Sequence, residues 1–88
     1  MRPLVFITGA SSGIGQALAL KFHQAGWRLA LAARRQAEMQ TWLAAQGIGS
    51  DDAQCYSADV IESNSIIAAA QACMAAQGVP HVVIANAG

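Results

Sequence analysis

The sequence predicts an α/β fold, a doubly wound parallel sheet with strand order 3-2-1-4, incomplete at one edge. Three observations predict it. Four short apolar runs alternate with three longer helical patterns. A glycine closes each helical pattern, at Gly26, Gly47 and Gly78. A glycine-rich turn, Thr8-Gly9-Ala10-Ser11-Ser12-Gly13-Ile14-Gly15, joins the first strand to the first helix. Right-handed crossovers then put strands two and three on one side of strand one and strand four on the other.

Strand one, Leu4-Val5-Phe6-Ile7, is apolar at every position, as expected of a parallel strand covered on both faces. Helix one follows over Gln16 to Ala25. Ile14, Leu18 and Phe22 recur every four residues from the turn into this helix, with Ala17 and Ala25 on the same side, which predicts an inner stripe. Strand two is Leu29 to Ala33. Helix two spans Gln36 to Gln46, with Met39, Trp42 and Leu43 inward. Ile48 to Asp52, rich in Gly, Ser and Asp, reads as loop. Strand three, near Gln54 to Ser57, has the weakest pattern. Helix three, Ser63 to Gln77, is alanine-rich, with Ile66, Ile67, Ala70 and Met74 expected to face inward. Gly78 stops it, Pro80 prevents its continuation, and His81 to Ala85 forms strand four.

The turn carries the chemistry. Free N–H groups and the helix dipole at a helix start favour an anion. A pyrophosphate reaches them only where no side chain intervenes, and glycine also permits the positive φ that such a turn can require. Ser11 and Ser12 add hydroxyls. The simpler alternative is an ordinary strand-to-helix turn with Ser12 as its N-cap. A P-loop fits less well, because Gly-Lys-Ser/Thr is absent and Lys21 lies well inside the helix. Strand, glycine turn and helix in this order make a dinucleotide site, with Gly9, Ser11, Ser12, Gly13, Ile14 and Gly15 as its phosphate side.

Gly-x-x-x-Gly-x-Gly after a Thr, Asp59-Val60 and Ala85-Asn86-Ala87-Gly88 occur in an order and spacing that resemble the N-terminal part of a compact short-chain dehydrogenase/reductase. The extended branch, with Gly-x-x-Gly-x-x-Gly, is a poorer match. The resemblance implies a Rossmann-like fold, with residues 1–88 the N-terminal part of a single NAD(P)-binding domain. It also implies hydride transfer between a nicotinamide and a small carbonyl or alcohol substrate.

NADP(H) is favoured over NAD(H). An acid at the end of strand two binds the ribose hydroxyls and repels a 2′-phosphate, whereas an arginine attracts that phosphate. Here the strand ends Ala33-Arg34-Arg35, and no acid occurs until Glu38. By resemblance Arg34 reaches the 2′-phosphate or covers the adenine, with Arg35 as second candidate. Two solvated arginines opening a helix are the alternative. Asp59 would accept from the adenine amino group, with the Val60 backbone supporting the ring, although an Asp also caps turns. Asn86, Ala87 and Gly88 would let the nicotinamide ribose approach, with Asn86 tying strand ends together.

The family's catalytic Ser, its Tyr-x-x-x-Lys and its relay Asn find no match. Tyr56 is followed four positions later by Val60, Lys21 is remote in sequence, and Ser57 lies in the wrong part of the fold. No catalytic residue is therefore assigned within 1–88. The expectation is a fragment, the cofactor half of an NADP(H)-dependent oxidoreductase that is homo-oligomeric when complete. The alternative is a stand-alone nucleotide-binding module or an inert truncation.

Composition agrees. The chain is 55% hydrophobic and 11% charged, more apolar than a small soluble domain should be. Its zero net charge and lack of a basic run argue against nucleic acid and anionic membranes. No apolar stretch nears the roughly 18 residues that a membrane span needs. Cys55 and Cys73 read as packed thiols in a reducing cytoplasm. No metal-ligand spacing surrounds His23 or His81, and no metal is expected. Trp27 and Trp42 read as packing anchors, and Arg28 as a solvated charge at the start of a strand. Strand four, apolar and unpaired on its outer side, is an aggregation hazard. The isolated 88 residues are expected to be marginally stable or insoluble. A sharp, reversible thermal melt above about 50 °C would contradict this.

Overall fold

The computed structural model describes residues 2–59 and 62–86. Within them the chain runs β1 (Leu4–Thr8), α1 (Gly13–Gln24), β2 (Arg28–Ala33), α2 (Gln36–Ala45), β3 (Ala53–Ser57), α3 (Ser63–Ala76) and β4 (Val82–Ile84). The sheet order is β3-β2-β1-β4, with every pairing parallel, as the sequence predicts.

Alternate side chains of the two central strands divide between the two faces of the sheet. Val5 and Ile7 of β1 join Leu29 and Leu31 of β2 beneath α1 and α2, where Ala19, Met39 and Leu43 cover them. Leu4, Phe6, Ala30 and Ala32 face α3, which meets them with Ala69 and Cys73. The first face is thus built mainly on larger aliphatic side chains of the sheet. The other lets a helix of small residues lie close over β2 and β3.

This division corrects two expected stripes. In α1 the buried residues are Gly15 and Ala19, while Ile14 is 68% exposed and Ala17 is exposed. In α3 they are Ala69 and Cys73, supported by Ile66 and Ala70, whereas Ile67 and Met74 are 54% and 46% exposed. Leu18 and Phe22 of the first stripe do pack against the core, as expected. Only small residues, Gly15 and Ala19 in α1 and Ala69 and Cys73 in α3, are fully buried where the helices lie closest to the sheet.

Arg28 is a second correction. It is half-buried, and its Nη1 donates to the Gln77 carbonyl at 3.0 Å. Gln77 also donates through Nε2 to the Leu29 carbonyl at 2.9 Å and accepts from the Tyr56 hydroxyl at 2.8 Å. The end of α3 is thereby bolted to β2 and β3. Trp27 folds back onto Phe22, ring edge to face at 5.0 Å, and closes the end of α1 against the core. At the surface below, Asp52 accepts from Arg2 at 2.6 Å and lies 3.4 Å from His23. The Arg2 hydrogen bond chiefly, with that of His23, holds the Asp52 carboxyl below its ordinary range.

The two sheet edges differ. On β3 the Gln36 side chain donates to the Cys55 carbonyl at 2.9 Å, which blunts that edge. β4 pairs with β1 at three positions and leaves Val83 64% exposed. Its start is secured by His81. The His81 N–H donates to the Leu4 carbonyl at 2.8 Å, and His81 Nδ1 accepts from the Leu4 N–H at 3.1 Å. His81→Ala should therefore cost about 1 kcal/mol of stability, the worth of one hydrogen bond. His81→Asn, which can present an acceptor oxygen, should recover most of it in thermal denaturation. Equal losses in both variants would show that the acceptor contributes nothing.

Candidate cofactor site at the strand ends

In a parallel sheet every strand delivers its last residue to the same end. β1 thereby brings the turn from Gly9 to Gly15, β2 brings Arg34 and Arg35, β3 brings Asp59, and β4 brings Asn86. Val60, Ala87 and Gly88 lie outside the described residues.

The turn is organised around the carbonyl oxygen of Gly9. Gly9 adopts φ +62°, open to glycine and strained for most other residues. Its carbonyl accepts from the Ser12 N–H at 3.3 Å, the Ser12 hydroxyl at 3.1 Å and Asn86 Nδ2 at 3.0 Å. α1 passes beneath it so closely that a Cβ on Gly15 would stand 2.5 Å from this oxygen and 2.8 Å from the Ala10 Cα. The Ala10 N–H donates to the Ala32 carbonyl at 3.1 Å and pins the turn to the end of β2.

Ser12 is the N-cap of α1. Its Oγ accepts from the Gly15 N–H at 3.0 Å and from Asn86 Nδ2 at 2.9 Å. The capping alternative thus describes its local role, and its hydroxyl is committed to the protein. Ser11 is exposed and no hydrogen bond engages its hydroxyl among the described residues. The N–H groups of Gly13 and Ile14 likewise have no protein partner among them. The first turn of α1 contains no acid, while Lys21 and His23 stand in the last, so the electrostatics favour an anion at its start.

Gly13 supplies the test of fit. Its φ is not positive, and a Cβ there would meet nothing within 4 Å. Nothing inside the protein demands glycine at this position. A diphosphate drawn against the bare helix start does, since a side chain would stand between it and the N–H groups.

Thr8 opens the glycine motif, and the sequence assigned it no role of its own. It is buried, its Oγ1 accepts from the Asn86 N–H at 3.1 Å, and it donates to the Ile84 carbonyl at 3.5 Å. With Asn86 it joins the end of β1 to the chain beyond β4. The signal available was a lone hydroxyl ending an otherwise apolar strand.

Arg34 and Arg35 are both exposed, but they differ. Arg35 pairs with Glu38 at 3.1 Å, and no ion pair engages Arg34 among the described residues. Ala33 before them is buried and presents no acid. Asp59 is half-buried. Its carbonyl accepts from the Glu62 N–H at 3.0 Å and its N–H donates to Ser65 Oγ at 3.0 Å.

Tyr56 stands apart from this constellation. Its hydroxyl is held by Gln77, and burial first, then the neighbouring thiols, pushes its pKa up to about 12. Burial likewise raises Cys55 to about 11 and shifts Cys73 upward, which keeps both free thiols protonated. A groove of about 190 Å³ beside β3, lined by Leu43, Ile48 and Cys55 among others, contains none of the predicted site residues. Among the described residues no three His, Cys, Asp or Glu side chains gather as a metal site, and no helix is long and apolar enough to cross a membrane.

The family model described as short chain dehydrogenase matches residues 3–88. The chain belongs to the short-chain dehydrogenase family. Among its relatives, the NADPH-dependent pterin aldehyde reductase of Arabidopsis thaliana is 36% identical over 84 residues, or 96% of this chain and 34% of that protein. The probable oxidoreductase EphD of Mycobacterium tuberculosis is 34% identical over 85 residues, or 97% of this chain and 14% of that protein. The chain thus spans a minor part of both relatives. An actinorhodin polyketide ketoreductase solved with NADPH superposes with a TM-score of 0.85 at 28% identity, over 99% of this chain and 33% of its own. A 3-ketoacyl-(acyl-carrier-protein) reductase from Brucella melitensis complexed with NADH gives 0.79 at 28% identity, over 92% and 32%.

The two helix-start glycines should separate cleanly in thermal denaturation. Gly15→Ala must displace backbone atoms and should cost about 1–3 kcal/mol. Gly13→Ala should leave stability unchanged or raise it by up to about 1 kcal/mol, the helix-propensity gain. Equal destabilisation would mean that Gly13 is also held by internal packing.

Proposed function

We propose that this chain is the cofactor-binding half of an NADP(H)-dependent oxidoreductase acting on a small carbonyl or alcohol substrate. The observation that carries the reading is the start of α1. There the unpartnered N–H groups of Gly13 and Ile14, the Ser11 hydroxyl and the open space over Gly13 offer a diphosphate several donors and no steric obstacle.

In this reading residues 1–88 are the N-terminal part of a single NAD(P)-binding domain. Gly9, Ser12 and Gly15 build the turn, while Ser11, Gly13 and Ile14 meet the phosphates. Arg34 pairs with the 2′-phosphate and Arg35, already paired with Glu38, assists. Asp59 and Val60 bracket the adenine. Asn86, Ala87 and Gly88 lie against the nicotinamide ribose. The bound nicotinamide supplies a hydride donor or acceptor. In this reading the groups that move the proton lie outside these residues, and Tyr56, half-buried with its hydroxyl bonded to Gln77, is not one of them. The unpaired thiols support a reducing, cytoplasmic setting. Homo-oligomerisation follows from the resemblance alone.

The choice of NADP(H) rests on Ala33 and Arg34, since relatives of this fold bind either nucleotide. In the protein that carries this chain, Arg34→Asp should raise the KM for NADPH by about tenfold or more, the equivalent of about 1.4 kcal/mol. NADH should be affected little or favourably. Arg35→Ala should have a smaller effect, because an exposed ion pair already occupies that side chain. Equal losses for both nucleotides in Arg34→Asp would remove Arg34 as the 2′-phosphate reader. Nucleotide binding without any turnover of carbonyl or alcohol substrates would favour the stand-alone binding module.

A further inference from the structure

We propose that Ser65 is a positioning residue for the adenine end of the site, setting the Asp59 carboxylate through the Asp59 backbone. The inference rests on the proposed adenine role of Asp59.

Ser65 lies in the first turn of α3. A hydroxyl there ordinarily serves its own helix, as a cap or toward the carbonyl one turn back. Among the described residues it does neither. Glu62, the N-cap, has extended geometry with φ −104° and makes no side-chain cap. Ser65 Oγ reaches six residues back and accepts the Asp59 N–H at 3.0 Å. The Asp59 carbonyl accepts from the Glu62 N–H at 3.0 Å, and the Glu62 carbonyl accepts from the Ser65 N–H at 3.0 Å. Three bonds thus close a ring between the end of β3 and the start of α3.

Asp59 is fixed from the other side as well. The preceding Ala58 is buried, and its N–H donates to the Ala33 carbonyl at 2.9 Å, which continues the β2–β3 ladder. Ala33 directly precedes Arg34. The residue proposed to read the adenine and the one proposed to read the 2′-phosphate therefore share a frame two backbone bonds wide. The β2–β3 ladder sets its translation. Ser65 sets the rotation of the Asp59 peptide, and with it the direction in which the side chain leaves the backbone. Ser65 is anchored in turn, since Ile66 and Ala69 beside it belong to the packed cluster that also holds Ala58 and Ala32. The hydroxyl stands on the helix that covers the core, so its position is inherited from packing.

The experiment compares NADPH with its hypoxanthine analogue, which lacks the adenine amino group, by calorimetric Kd on the whole protein that carries this chain. Wild type should prefer NADPH. Ser65→Ala should weaken NADPH by about fivefold to tenfold, the range of one hydrogen bond, and leave the analogue nearly unchanged, so the preference collapses. Ser65→Thr, which keeps the hydroxyl, should retain it. Ser65→Cys, a weak acceptor of similar size, should fall between and serves as the reporter if Ser65→Ala does not fold. A Ser65→Ala protein that keeps the wild-type preference, or that weakens both nucleotides equally, overturns the positioning role and leaves Asp59 untouched. A wild type that binds both nucleotides equally overturns the adenine role of Asp59, and the inference falls with it.

Discussion

Much of this structure hangs on one carbonyl oxygen. Three donors converge on Gly9, from Ser12 twice and from Asn86, while α1 passes beneath at a distance that excludes a Cβ. A turn satisfied from within in this manner leaves the next two amides of the helix pointing outward. The anion site is therefore a by-product of how the strand-to-helix connection meets its own hydrogen-bonding needs. The bond from Asn86 extends this control to the far side of β1, since the residue that completes the turn is 77 positions away in sequence. The two faces of the sheet contribute differently. Beneath α1 and α2 the sheet presents mainly larger aliphatic side chains, while on the α3 side Leu4 and Phe6 alternate with alanines that let the helix come close.

The order of the elements was legible because each is stated locally. β1 is buried at every position and carries no polar residue before Thr8. Gly26, Gly47 and Gly78 all take positive φ where the helices close. The glycine turn was legible for the same reason, since its conformation and its close approach both require the residue that is written there. The helix faces were not. Ile14 in α1 and Ile67 and Met74 in α3 are large and apolar, and periodicity alone places them inside, yet each is exposed while small residues of the same helix meet the sheet. Which face of a helix is buried depends on the partner's relief, and no local pattern records that.

The polar ties were still less visible. Gln77 joins three elements through both ends of its amide and its carbonyl, and His81 closes a ladder through a ring nitrogen. Each is a single polar residue at the end of an element, the commonest place for a solvated one. Arg28 read as solvated for that reason, whereas a carbonyl at the end of α3 receives it. Such long-range pairings depend on register, which is fixed only once the sheet has formed.

The position of β1 in the sheet also has a meaning in time. β1 precedes both of its sheet neighbours in the chain, and its β4 partners lie 77 positions further on, as in the pairing of Val5 with Val82. At ordinary elongation rates the β4 flank of β1 stays without its strand for on the order of ten seconds. During that interval an apolar strand of five residues offers bare amides and carbonyls along one side. Nascent-chain chaperones that shield apolar segments would meet this chain early, and β1 is the segment they would hold.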